Sequence, residues 1–158
     1  NGTTYTLNKV KQEEKQILYR LLQYSLFEES ATDLNEMNDQ ALYDYEYFNL
    51  YFTDQDRDAY LIREKQTNKL LGFAMVNSYV RYFKEGHSIA EYMILPKYRH
   101  LGLGKAVAID LFKRYPGHFE VSPAYQSESA YQFWLKVIQE YTNGNCQYQD
   151  ELFTFTKG

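Results

Sequence analysis

The stretch Glu91-Tyr-Met-Ile-Leu-Pro-Lys-Tyr-Arg-His-Leu-Gly-Leu-Gly-Lys105 constrains the fold of this chain more than any other. Its apolar half has the length and composition of a strand, and Pro96 ends it. Beyond Gly102 and Gly104, the residues Leu103, Val107, Ala108, Leu111 and Phe112 recur at helical spacing on one face, with Asp110, Lys113 and Arg114 on the other. A strand that turns directly into an amphipathic helix belongs to a layered α/β chain, not to a bundle or a sandwich.

Strand-period and helix-period segments alternate on both sides of this junction. Tyr5–Val10 reads as a short strand. Residues 12–27 read as a helix with Ile17, Leu18, Leu21, Leu22, Ser25 and Leu26 on its inner face. Residues 28–58 show no clear period, and a helical piece around Leu42–Tyr51 is expected there. Ala59–Glu64 and Leu70–Tyr82 read as strands joined by a turn at Gln66-Thr67-Asn68-Lys69, and Ser88–Leu95 as a third. A helix over Leu103–Tyr115, stopped by Pro116-Gly117, leads to a strand His118–Ser122, a helix Ser129–Tyr141 and a last strand Tyr148–Thr156. The order predicts an α/β (mixed α+β) fold with helices flanking a mixed sheet and a β-α-β-α-β C-terminal half. With 158 residues, no repeat and no Pro/Gly-rich linker, residues 1–158 are expected to form a single domain.

Composition narrows the function. Apolar residues make up 44% of the chain and the net charge is only −4, which excludes a disordered chain. One cysteine, Cys146, excludes an internal disulfide and a Cys-rich zinc site, and no metal is expected. No apolar run approaches the ~20 residues that span a bilayer, and Asn1–Tyr5 lacks a basic-then-apolar signal, so a cytoplasmic protein off the membrane is expected. Residues 28–58 carry ten Asp/Glu against one Arg. Such a segment repels phosphate backbones, and nucleic acid is not an expected partner. Tyr43, Tyr45, Tyr47, Phe48, Tyr51 and Phe52 punctuate it. It reads either as a solvated arm whose aromatics pack over the sheet, or as an aromatic-lined lip that attracts a cation.

Arg99-x-x-Gly102-x-Gly104 sits where the strand becomes the helix. A helix start leaves backbone N–H groups unpaired and presents the positive end of its dipole. Glycines there let a ligand approach, so the turn is a candidate cradle for phosphate or pyrophosphate, with Arg99 and Lys105 adding charge at its edge. The plainer alternative is that the two glycines only shape the turn. Walker spacing is absent, and Val107 stands where a dinucleotide motif needs its third glycine.

The run Ile94–Gly104 resembles the (Arg/Gln)-x-x-Gly-x-(Gly/Ala) signature of the GCN5-related N-acetyltransferase (GNAT) superfamily, in the same strand–helix setting. The resemblance implies a mostly antiparallel central sheet of about six to seven strands and a site for acetyl-CoA as co-substrate. It places the pyrophosphate on the backbone amides of Arg99, His100, Leu101, Gly102, Leu103, Gly104 and Lys105. It lays the pantetheine arm along a bulged strand at Met93, Ile94 and Leu95, where a free N–H near Ile94 or Leu95 would face the thioester oxygen. Glu91, upstream on that strand, is the implied general base, with Glu120 and His87 as alternatives. A Glu91 that faces solvent, or pairs with Arg81 or Lys84, is the reading without chemistry.

The family's Asn-x-x-Ala-x-x-x-Tyr pattern reads Ser127, Ala130 and Trp134 in this chain. Ser127 can still bond the ligand, and Ser129 with Gln132 suggests a capping box. Trp134 lies on the apolar stripe of Ala130, Phe133, Val137, Ile138 and Tyr141, so it is expected as core or cofactor wall and the general acid is unassigned. The implied reaction is direct acetyl transfer, in a ternary complex, to a primary amine of a small molecule or peptide. The acidic lip would favour a cationic one. The alternative is a CoA-binding regulatory or interaction module with little turnover. A monomer or a homodimer is expected, and Tyr148–Thr156 is the edge through which copies could pair.

Overall fold

A computed structural model describes residues 4–158. Its elements are β1 (Tyr5–Lys9), α1 (Lys15–Asp33), β2 (Arg57–Glu64), β3 (Leu70–Asn77), β4 (His87–Ile94), α2 (Leu103–Arg114), β5 (Gly117–Val121), α3 (Glu128–Thr142), β6 (Cys146–Gln149) and β7 (Leu152–Lys157). They form one seven-stranded sheet in the order β1-β2-β3-β4-β5-β7-β6. All neighbours are antiparallel except β4 and β5, which run parallel.

The two sheet faces carry separate cores. Leu18, Leu21 and Leu22 of α1 pack with Phe48 and Tyr51 on Ala59, Leu61, Phe73, Met75 and Met93. On the opposite face Val107, Leu111 and Phe112 of α2 and Trp134, Val137 and Ile138 of α3 cover Ile62, Ala74, Val76, Ile89, Phe119 and Phe153. Successive β3 residues serve opposite cores, which is why this strand reads as an unbroken apolar run.

Besides β3 ending at Asn77 rather than Tyr82, the structure departs from the sequence reading at three places. The expected last strand is two, β6 and β7, turned at Asp150 and Glu151, both with positive φ (55° and 62°). Such a turn favours Asn-Gly or Asp-Gly, and neither is there to announce it. The sheet edge is therefore β6, while β7 lies inside. The helix around Leu42–Tyr51 shrinks to a 3-10 turn at Phe48–Phe52, and the backbone of Tyr43 is held instead by the Gln23 side-chain amide at 2.8 Å on both its N–H and its C=O. Finally, α1 runs on to Asp33, where Leu34 closes it in the left-handed conformation. The inner stripe Leu18, Leu22, Ser25 simply continues as Glu29 and Asp33, so the helix face turns from apolar to acidic as it passes β4.

Candidate active site

The sheet is incomplete at its centre. Only His87–Ile89 of β4 pair with Phe119–Val121 of β5. Past Val121 the chain leaves through Ser122-Pro123, and β4 runs on from Ala90 to Ile94 with that edge bare. The Leu95 N–H donates to the Leu71 C=O at 2.8 Å, which makes Gly72 and Ile94 a pair whose own peptide groups point away from each other. The N–H groups of Tyr92 and Ile94 therefore face the bare edge. Of the two amides suggested for the thioester oxygen, Leu95's belongs to the sheet and Ile94's is on the open side. The Ile94 C=O accepts from Arg99 Nε at 2.7 Å.

Where β4 ends, six consecutive amides are left over. The N–H groups of Tyr98 and Arg99 bond to the carbonyls of Leu95 and Pro96, and that of Ala106 to Gly102. Between them, the amides of His100, Leu101, Gly102, Leu103, Gly104 and Lys105 find no protein acceptor among the described residues. His100 and Gly102 both have positive φ (65° and 86°), which curls this run into an anion-binding concavity at the start of α2. No atom lies within 4 Å of where a Gly102 Cβ would stand, so the mouth is open. A Gly104 Cβ would come within 3.1 Å of the Phe133 ring, so that glycine serves the close approach of α2 to α3. Gly102→Val is expected to weaken the binding of a diphosphate group in this concavity by about tenfold or more, since a β-branched residue at this φ distorts it. Calorimetry checks this; affinity within a factor of about two of wild type refutes it.

The charge expected at the rim is spent elsewhere. The Arg99 guanidinium makes a two-pronged pair with Glu28 (2.7 and 2.8 Å), and its own amide is also engaged. Lys105 pairs with Glu140 at 3.0 Å. What the concavity offers an anion is therefore its backbone amides and the helix dipole.

At the other end of the bare edge stands Glu91. A register shift opposite Met75 and Val76 inserts Ala90 as an extra residue in β4. The bulge thus lies upstream of Met93–Leu95. Ile89 packs into the α2/α3 core, whereas Ala90 and Met93 pack into the α1 core. The extra residue switches the face, and Glu91 points to the α1 side with Met75 and Met93. It is half-buried and pairs with neither Arg81 nor Lys84: the Arg81 guanidinium donates to the Asp150 C=O instead. Burial raises the Glu91 pKa well above the carboxylate range, Glu29 and Asp33 push it further, and the nearby Tyr45 hydroxyl opposes them. Glu29 is raised as well, by burial first and then by Asp33 and Glu28. Burial and Glu91 together hold the proton on Tyr45.

The alternative bases are placed elsewhere. The Glu120 carboxylate, 1% exposed, accepts the backbone N–H groups of Arg81, Tyr82 and Phe83 at 2.8, 2.7 and 2.8 Å. It clamps the β3–β4 loop. His87 lies at the paired end of β4, its ring tilted against that of Tyr115 with centroids 4.6 Å apart. On α3, Ser127 is the N-cap, accepting from the Ala130 N–H at 3.2 Å, whereas Gln132 reaches Glu128, so the expected Ser129–Gln132 box does not form. Trp134 is buried core, edge-on to Tyr92 and Phe133 at 5.2 and 4.9 Å. Its neighbour Phe133 is the ring beside the cradle, and the Tyr92 hydroxyl donates to the Gly104 C=O at 2.5 Å. The sequence places Tyr45 in the candidate aromatic lip but does not link it to Glu91, and it does not single out Glu29, Asp33 or the place of the Phe133 ring beside Gly104. The acidic continuation of the α1 stripe was the available signal.

The fold is shared with known proteins. The chain has the fold of an aminoglycoside antibiotic 6'-N-acetyltransferase from Acinetobacter baumannii (TM-score 0.60, 11% identity, 84% of this chain and 88% of that one). The same holds for a structure described as histone acetyltransferase HPA2 and related acetyltransferase from Corynebacterium glutamicum (0.66, 10%, 98% and 97%). A spermidine N-acetyltransferase from Vibrio cholerae, in complex with CoA and spermine, is also similar (0.57, 12%, 92% and 82%). A search of curated proteins finds no match. The profile of the acetyltransferase (GNAT) family matches residues 23–136, a span that includes the end of α1, the bulged strand, the amide cradle and most of α3. The chain belongs to the acetyltransferase (GNAT) family.

Proposed function

We propose that this protein transfers the acetyl group of acetyl-CoA to the primary amine of a cationic small molecule or peptide, with Glu91 as general base. The observation that carries the reading is the bare edge of β4, which runs from six free amides at one end to a desolvated carboxyl at the other. The amides of His100–Lys105 suit the diphosphate, and the Tyr92 and Ile94 N–H groups suit the amide-bearing arm. Acetyl-CoA supplies a thioester carbon that a neutral amine can attack. Glu91 takes the proton that an arriving ammonium must shed, and its raised pKa matches it to that task near neutrality. The Ile94 N–H is placed to donate to an oxygen that gains charge. Tyr45 and Tyr51 give the acceptor side aromatic walls, and Glu29 and Asp33 give it negative potential.

Thiol release from acetyl-CoA over a panel of amines tests the proposal. Cationic di- and polyamines are expected to exceed neutral or acidic amines by at least about tenfold in kcat/KM. No release above background with any amine, despite acetyl-CoA binding, selects the second reading, a CoA-binding module. That reading is favoured by Trp134, which is buried where the family pattern has a tyrosine. The pH dependence gives an independent check. A base with a raised pKa is active only once it loses its proton, so kcat/KM is expected to rise with pH through a limb well above the usual glutamate value of about 4.3. The limb should stay in place as acceptors of different basicity are exchanged. A limb that follows the acceptor's own pKa would remove Glu91 from the role.

A further inference from the structure

Glu28 and Glu29 are neighbours near the end of α1, and they serve opposite sides of the site. The Glu28 carboxylate takes Nη1 and Nη2 of Arg99 at 2.7 and 2.8 Å, while Arg99 Nε holds the Ile94 C=O at 2.7 Å. Glu29, with Asp33, faces Glu91. Four carboxyls therefore crowd the junction of α1 and β4. Among the described residues, Arg99 is the one cation that forms an ion pair with any of them.

The last turns of α1 are held less firmly than its first ones, with Leu26 only partly buried against the core. The fully buried residues of α1 are Leu18, Leu21, Leu22 and Ser25, all before Glu28. After them, the tertiary polar ties are the Arg99–Glu28 pair and the Tyr43 hydroxyl on Ser30 at 3.1 Å. Where Glu29, Asp33 and Glu91 are ionised, their mutual repulsion opposes the close approach of this end of the helix. A two-pronged guanidinium–carboxylate pair has the strength and directionality to resist it.

We propose that Arg99 and Glu28 form a strut that fixes the acidic end of α1 against β4, so that the loop holding the cofactor also positions the carboxyls around Glu91. Both are positioning residues. The groups facing Glu91 are Glu29 and Asp33 from α1, Tyr45 from the segment after α1, and Tyr51, itself beside Arg57, from the 3-10 turn. Met75 of β3 lies opposite it in the sheet. The strut sets how closely the first two approach. The idea rests on the reading of Glu91 as base.

The double variant Glu28→Gln/Arg99→Gln tests it, because it removes the strut without changing the net charge. Three measurements on the full chain are needed: amide exchange over residues 26–33, titration of the ¹³C-labelled Glu91 carboxyl (assigned with Glu91→Gln), and CoA binding by calorimetry. Exchange in the ligand-free protein is expected to quicken by about tenfold or more. The Glu91 midpoint is expected to fall by about one pH unit as Glu29 and Asp33 retreat. CoA affinity should stay within about threefold, since the free amides are untouched. Unchanged exchange or an unmoved midpoint overturns the proposal. A loss of CoA affinity of about tenfold or more does so too, by assigning the pair to the cofactor site. Should the double variant fold poorly, Arg99→Lys, which keeps the charge but loses the fork, is expected to shift exchange and midpoint in the same directions. Full turnover in Glu91→Gln would instead end the base assignment, while exchange and CoA binding still judge the strut.

Discussion

Glu91→Gln is expected to cut turnover by about 10²–10³-fold while leaving acetyl-CoA affinity within about twofold. Glutamine keeps the size and most of the polarity of the side chain but cannot take a proton from the incoming amine. The backbone groups proposed to hold the cofactor are not touched by the change. Loss of fold would not explain the result, because the same change is expected to stabilise the protein at neutral pH. The sign follows from linkage. The folded-state pKa of Glu91 is raised, so the folded protein binds this proton more tightly than the unfolded chain does. The stability this contributes is fully present below the unfolded value of about 4.3 and is lost as pH rises through the folded value. Above that, the ionised carboxylate beside Glu29 and Asp33 is a liability that glutamine lacks. Steady-state thiol release and thermal unfolding at pH 8 check both halves. Wild-type turnover, or a marked drop in melting temperature, would refute the reading.

Glu120→Ala should be the most damaging single change to stability, at about 3–5 kcal/mol. Three backbone N–H groups converge on this buried carboxylate, and alanine leaves all three without an acceptor. The consequence spreads through the β3–β4 loop. Tyr79, in that loop, donates to Asp54 at 2.6 Å, and its ring lies 4.2 Å from the Arg57 guanidinium, which also pairs with Asp54. Glu120→Gln should cost less, because its carbonyl oxygen still accepts. Denaturant midpoints at constant m-value measure the difference. A cost below about 1 kcal/mol for alanine would mean that water replaces the carboxylate, and that the loop does not depend on it.

What the sequence disclosed was local. The strand, the proline, the paired glycines and the apolar face of α2 lie within about two dozen residues, and each announces itself by period or by backbone preference. What it hid was tertiary. The face that Glu91 occupies depends on one extra residue in β4 opposite β3, a register fact that no periodicity of β4 alone reveals. Arg99 reads as a rim charge until the fold brings Glu28 to it from the far end of α1. The β6–β7 turn uses Asp150 and Glu151 in a conformation usually signalled by glycine, and the tertiary pairing of β7 with β5 overrides that preference. Trp134 was legible as core from its helical stripe, but the part of Phe133 beside Gly104 was not, since a ring on the stripe and a ring at its margin look alike in a list of letters.

The bulge that turns Glu91 toward α1 also parts the two kinds of charge. The free amides open at the start of α2, whereas Glu29, Asp33 and Glu91 gather beside α1. On the proposed reading a single strand thus offers a positive pole to an anion and a negative pole to a cation, and added salt dims both attractions at once.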